Sequence, residues 1–148
     1  MEYKYIINNN NCITIKGELI LSNLQLFQAI NFCNQALQKL DQETKQFDIN
    51  IFEILGMRNL SGMVGEYFAK SVQRFSEGHL HSNLHQDGYP DLLLTNTRER
   101  LNYYTSLYLE QNGKKYPSEK SLFSPFKYGG IEVKATCGNT PPASQSPK

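Results

Sequence analysis

Gly129-Gly130 followed by Ile131-Glu132-Val133-Lys134-Ala135-Thr136 constrains the fold more than any other stretch of this chain. Paired glycines interrupt whatever precedes them, and the strict apolar/polar alternation that follows has the period of a half-buried β-strand. Ile131, Val133 and Ala135 are expected on one face, with Glu132 and Lys134 side by side on the other. A chain with this strand needs a sheet whose apolar face is covered.

The cover is expected from two helices. Residues 23–45 contain no Gly or Pro, and Leu24, Phe27, Ile30, Leu37 and Leu40 recur at helical spacing behind a Ser22 or Asn23 cap. Residues 62–75 carry Met63, Val64, Tyr67, Phe68, Val72 and Phe75 in a similar stripe, with Ser61 as the expected N-cap. Glu66 sits within that stripe, either at its edge or in a cleft. Residues 49–57 read as a short helical turn ending near Gly56. Further strands are expected at 79–85 and at Leu92-Leu93-Leu94, and an N-terminal hairpin from Tyr5–Ile7 and Cys12–Ile15, turning at the Asn8–Asn11 run. Arg98–Gln111 fits either a helix or a long hairpin turning at Gln111-Asn112-Gly113, and residues 114–128 read as loop. The Pro-, Ser- and Asn-rich residues 138–148 read as a disordered tail after a single domain of residues 1–137. The fold class is therefore α/β, a mixed central sheet flanked by helices.

Composition excludes some classes. No apolar run approaches the ~18 residues of a membrane span, and Met1-Glu2-Tyr3-Lys4-Tyr5 does not resemble a secretory leader. Cys12, Cys33 and Cys137 form no CxxC pair, which favours free thiols in a reducing, cytoplasmic setting over zinc or disulfides. The net charge of +1 gives no global attraction to a polyanion, although Lys114, Lys115, Lys120, Lys127 and Lys134 make one segment mildly basic, fit for phosphate contact or simply for solvation.

Two short motifs carry chemistry. Gly88-Tyr89-Pro90-Asp91 leads a turn into the Leu92–Leu94 strand, and Glu132-Val133-Lys134 follows about forty residues later. If the two strands are neighbours, two carboxylates and an ammonium converge, and the carboxylates repel one another unless a cation joins them. All-oxygen ligands suit Mg²⁺, which keeps several waters alongside one or two carboxylates. Lys134 is placed to stabilise charge on a phosphate or to position an attacking water. Taken singly, the motifs read more readily as a turn Asp and a surface Glu–Lys pair; the combination carries the argument.

Together these residues resemble the PD-(D/E)XK nucleases, and more narrowly the type II restriction endonucleases. Pro90-Asp91 resembles the first half of the family motif and Glu132-Val133-Lys134 the second. The segment Ser61 to Phe68 is similar to the helix that precedes the motif in many members, where a glutamate often joins the metal site. The resemblance spans about residues 56–138. It implies that Asp91 and Glu132 bind Mg²⁺, that Lys134 assists catalysis, and that Glu66 is an auxiliary ligand or water contact. It also implies double-stranded DNA as substrate, a homodimer acting on a palindromic site, and a cognate DNA methyltransferase in the same cell. In the family the second half-motif is followed by further helices and strands, whereas fourteen residues follow Lys134 here, so a core cut short after its catalytic strand is expected. A repair or junction nuclease of the same superfamily, or an inactive remnant, stays open as an alternative.

Other residues have weaker credentials. His79, His81 and His85 have a spacing that could ligate metal on a helix, but read better as polar surface residues, with His85 or Gln86 near DNA at most. Tyr103, Tyr104 and Tyr108 with Arg98 and Arg100 fit either amphipathic packing or nucleic-acid contact. Asn139 and Thr140 would approach DNA only if the chain after the catalytic strand were ordered.

Overall fold

The structure, a computed structural model, describes residue 8 and residues 10–137. The chain begins with a two-stranded hairpin, β1 (Ile13–Ile15) and β2 (Glu18–Leu21). Its loop is Lys16-Gly17, both at positive φ, the conformation that matches strand twist in a two-residue turn. The hairpin therefore turns five residues later than the Asn run suggested, and the expected strand at Tyr5–Ile7 lies outside the described residues, as does the expected tail beyond Cys137.

Helix α1 (Asn23–Lys45) has the expected bounds. Ser22 caps it through a reciprocal pair, the Gln25 N–H donating to the Ser22 hydroxyl and the Ser22 N–H to the Gln25 side chain. After α2 (Ile51–Ile54), helix α3 (Met57–Phe75) packs against α1. The buried contact residues are small: Ala29 and Cys33 on α1, Ala69, Ser71 and Val72 on α3. Small side chains let the two backbones approach closely, and the larger predicted residues flank that seam. The N-cap of α3 is Gly56, not Ser61. Ser61 lies inside the helix, where its hydroxyl donates to the Met57 carbonyl at 2.8 Å instead of capping.

Strands β3 (Leu80–Ser82), β4 (Leu92–Leu94) and β7 (Gly130–Ile131) form the central sheet, with β4 in the middle. Leu80 pairs with Leu94, and Leu92 with Ile131. Between β4 and β7 come α4 (Arg98–Ser106), the hairpin β5 (Tyr108–Gln111) and β6 (Lys114–Pro117), a 3-10 turn at Lys120–Leu122, and α5 (Pro125–Tyr128). Arg98–Gln111 is thus a helix and then a strand. The β5–β6 turn is Asn112-Gly113, both at positive φ, the strongest short hairpin signal in the chain.

The fold is mixed α and β, and every strand pairing among the described residues is antiparallel. This corrects the expectation of a mixed sheet: the connection on each side of β4 returns the chain to the same end of its neighbour, so no parallel crossover is made. A second correction concerns the strand expected at 131–136, whose ladder covers only Gly130–Ile131. Its alternation nonetheless holds, since Ile131 and Val133 pack on the core below β4 and Ala135 lies beside Gly65 of α3. No described helix is long and apolar enough to cross a membrane.

Candidate active site

The ladder between β4 and β7 stops at Ile131 because the next pairings are made by side chains. The Val133 N–H donates to Asp91 Oδ2 at 2.7 Å, and the Asp91 N–H donates to Glu132 Oε2 at 3.2 Å. Each carboxylate thus takes the backbone N–H of the other's segment, where a sheet would have used carbonyls. Lys134 Nζ donates to Glu132 Oε1 at 2.6 Å. The three residues of the two half-motifs, separated by about forty positions in the chain, are joined by these three bonds.

The turn that delivers Asp91 is fixed independently. Asn83 donates through Nδ2 to the Pro90 carbonyl at 3.0 Å and to the Phe123 carbonyl at 3.2 Å. Its Oδ1 accepts the His85 N–H, and its own N–H donates to the Asp91 carbonyl at 2.8 Å. Pro90, preceded by a cis peptide bond, is fully buried. Gly130 is required by close approach: a Cβ there would run into the Leu92 carbonyl oxygen and the Pro90 ring. Any side chain at Gly130 would push the Glu132–Lys134 segment away from Asp91.

The electrostatics follow from this packing. Burial pushes the Asp91 carboxyl above the ordinary aspartate range, and the neighbouring Glu132 charge adds to the effect, while the Val133 N–H opposes it. The Lys134 ammonium is held above the ordinary lysine range by its contact with Glu132. Its side chain is 81% exposed, so the charge stands at the surface rather than in a sealed site.

Asp91 also lines a cleft of about 310 Å³ between α3 and the segment 82–91, together with Glu66, Lys70, Ser82, His85 and Gln86. Glu66 is exposed at its lip, resolving the choice between stripe edge and cleft in favour of the cleft. Glu132 and Lys134 do not line this cleft. Asp91 is therefore the meeting point: Glu132 and Lys134 bond around it from the strand side, and Glu66 shares the open side.

A divalent cation with oxygen ligands matches this donor set in part. The Glu132 charge adds to burial in raising the Asp91 carboxyl, a repulsion that a cation would relieve. Among the described residues, no three His, Cys, Asp or Glu side chains gather closely enough to cage a metal. Two carboxylates are as many as Mg²⁺ commonly takes alongside its waters, and Glu66 shares the cleft with Asp91.

Lys70 was missed from sequence, although it lies one helical turn after Glu66, on the same face. Asn83 offered no signal at all, because its role depends on the Pro90 and Phe123 carbonyls arriving beside it. The histidines do not converge: His79 Nδ1 meets the Ile20 carbonyl, His81 Nδ1 the Thr95 hydroxyl, and His85 Nε2 the Ser118 carbonyl. Tyr103 and Tyr104 pack together in an aromatic cluster, and Arg100 pairs with Glu18 at 2.9 Å. In the basic segment, Lys120 pairs with Asp87 and Lys127 lies over the Tyr103 and Tyr128 rings. Asn139 and Thr140 lie outside the described residues. No protein-family model matches the chain, and no curated protein or solved structure matches it.

Proposed function

We propose that this chain is a Mg²⁺-dependent nuclease of the PD-(D/E)XK kind, a type II restriction endonuclease by the resemblance of its motifs, hydrolysing phosphodiester bonds of double-stranded DNA. The observation that carries the proposal is the bonded set of Asp91, Glu132, Val133 and Lys134 beside an open polar cleft. In this reading the three antiparallel strands are the site-bearing part of a restriction-endonuclease-like sheet.

Asp91 and Glu132 would hold the ion, and Glu66 lines the cleft on which Asp91 opens. Mg²⁺, when bound there, polarises a phosphate oxygen and acidifies a coordinated water. The residues supply the rest. Glu132 fixes Lys134 by one oxygen, so the ammonium is presented at a set position, where it stabilises negative charge developing on the phosphate or orients the attacking water. Asn83 holds the Asp91 backbone so that the carboxylate does not drift when the substrate arrives. A homodimer would act on a palindromic site, in a cytoplasm where a cognate methyltransferase protects host DNA.

The test is cleavage of a long duplex in Mg²⁺ by the wild type, Asp91→Ala and Lys134→Ala, with thermal melts to check folding. Wild-type cleavage into discrete fragments, lost by about 10²–10³-fold in each variant, is expected. Equal cleavage by all three refutes the site, and cleavage confined to branched or damaged DNA removes the restriction assignment.

A further inference from the structure

The cleft does not end at Lys70. A second cavity, of about 230 Å³, adjoins it and shares Lys70 and Ser82 with it. Lys70 Nζ donates to Ser82 Oγ at 2.9 Å, and Ser82 in turn bonds the Gln73 side-chain oxygen. These residues form the sill between the two spaces. Beyond the sill the lining changes character: Leu84, Leu93, Leu101, Tyr104 and Tyr108 make the walls, with Gln73, His81, Thr95 and Thr105 among them.

The polar groups present both kinds of hydrogen-bonding edge. Ser82 occupies the Gln73 oxygen, so the Gln73 amide nitrogen is the donor end. The Thr95 hydroxyl gives its proton to the Gly78 carbonyl at 2.8 Å, so His81 Nδ1 must bring the proton to the 2.6 Å contact with Thr95 Oγ1. Nε2 is then the other ring nitrogen, an acceptor when it carries no proton. A donor and an acceptor set among apolar walls suit a flat heterocycle with apolar faces and a mixed polar edge. The volume lies below the ~300 Å³ at which pockets for drug-sized ligands begin, so it suits one ring system rather than a stack.

We propose that this groove holds one unstacked nucleobase of the nucleic acid whose phosphate lies at Lys70. The inference rests on the nuclease reading for the cleft and sharpens its substrate: a duplex from which one nucleotide beside the cleaved bond is extruded. Enzymes that place a base in a pocket must take it out of the stack, which is easiest where the base is mismatched or already single-stranded.

The experiment is amide NMR of the full chain titrated with adenosine, adenosine 5′-monophosphate, thymidine 5′-monophosphate and inorganic phosphate, none of which reports on cleavage. The monophosphates should move the signals of His81, Thr95 and Tyr108 together with those of Lys70 and Ser82. Adenosine should move the first set, and inorganic phosphate only the second. Thr105→Phe, an exposed helix position whose larger side chain fills the groove, should weaken nucleoside binding by about tenfold or more while the response of Lys70 to phosphate persists. A spectrum unchanged outside the groove shows that this variant is folded. Groove signals that stay still at about 10 mM nucleoside, or that respond equally in Thr105→Phe, overturn the proposal. Because the Asp91 cleavage assay is separate, a silent groove in a cleaving enzyme sinks the base site alone. A responsive groove in a chain that does not cleave keeps the base site and sinks the nuclease reading.

Discussion

On one side of β4, Leu92 and Leu94 pack with Ile20, Leu21, Ala69 and Val72 in an aliphatic layer; on the other, Leu93 packs with Tyr104 and Phe123, flanked by Tyr103, Leu107 and Tyr128. All three leucines are fully buried, yet the two layers are built differently. The aliphatic side rests on two long amphipathic helices, whose seam is continuous. The aromatic side gathers short pieces, α4, the 3-10 turn and α5, through ring contacts such as Tyr103–Tyr128 at 5.3 Å and the stacked Tyr104–Phe123 pair at 6.0 Å. Glu66 and Lys70 come from the aliphatic side, but the alignment of Asp91 depends on the aromatic one. Asn83 is tied to the Phe123 carbonyl, His85 packs edge-on against the Phe123 ring at 5.1 Å, and Tyr128 leads directly into Gly129-Gly130. One layer gives the scaffold and the other sets the register of the site.

Phe123→Ala strikes this comparison hardest. The ring is fully buried, and its removal should cost about 3–5 kcal/mol, against about 2–5 kcal/mol for Leu94→Ala on the opposite face. Under conditions where both variants stay folded, Phe123→Ala should lose more cleavage than Leu94→Ala. Equilibrium denaturation giving under about 1 kcal/mol for Phe123→Ala would reduce the aromatic layer to a veneer.

Gly130→Ala comes next. A Cβ at that position collides with the Leu92 carbonyl and the Pro90 ring, and overpacking of this kind costs about 1–3 kcal/mol. Because the collision displaces Glu132 and Lys134 from Asp91, cleavage should fall further than the stability loss explains. Gly62→Ala is the matched control. It lies inside α3 with no atom of the described residues near its Cβ position, so it should stabilise the chain by up to about 1 kcal/mol. Equal effects of the two substitutions on cleavage would remove the claim that the close approach at Gly130 holds Glu132 and Lys134 to Asp91.

The same division explains what could be read in the sequence. α1 was legible to the residue because its stripe runs for many turns and Ser22 caps it. The Ile131–Ala135 alternation was legible because a strand face needs no partner to be recognised. α3 was found but begun late, since a serine inside a helix looks like a cap until its hydroxyl is seen bonding back to Met57. The aromatic layer was not legible. Tyr103, Tyr104, Phe123 and Tyr128 come from three short segments with no shared period, and only tertiary contact makes them one layer. For the site, Asp91, Glu132 and Lys134 are brought together as the motif spacing implied. The termination of β7 by carboxylates, and the anchoring by Asn83, arise between segments that no local pattern connects.

Tyr104→Phe tests a smaller asymmetry within the aromatic layer. The Tyr104 hydroxyl is buried and has no hydrogen-bond partner among the described residues, so deleting it should stabilise the chain by about 1 kcal/mol. Tyr103→Phe, which gives up a long 3.4 Å bond to the Leu122 carbonyl, should change little. Burial pushes the Tyr104 phenol from 10.0 up to about 12. A folded value raised above the unfolded one means that its stabilising contribution is complete below pH 10.0 and lost as pH rises through about 12. The wild type should therefore lose stability more steeply than Tyr104→Phe across that window in chemical denaturation. Parallel curves would show that the phenol is solvated.

Asp91→Asn should have the smallest effect on stability and the most telling one. Burial foremost, then the Glu132 charge, raise the Asp91 carboxyl above its ordinary value. Its favourable contribution is thus complete below the unfolded aspartate value and lost as pH rises through the raised folded one. At neutral pH the ionised group is a net cost to a fold without a cation. Asparagine keeps an oxygen for the Val133 N–H, carries no charge, and gains a donor toward Glu132. The variant should melt level with the wild type in mild acid and above it at neutral pH, by at most a few degrees, while cleavage is lost. Adding Mg²⁺ should raise the wild-type melting temperature in proportion to ln(1 + [Mg²⁺]/Kd) and leave the variant unmoved. A variant that melts below the wild type at neutral pH without Mg²⁺ would mean that the Asp91–Val133 bond outweighs the repulsion. The two carboxylates would then be a structural latch replacing a sheet ladder, not a site kept open for a cation.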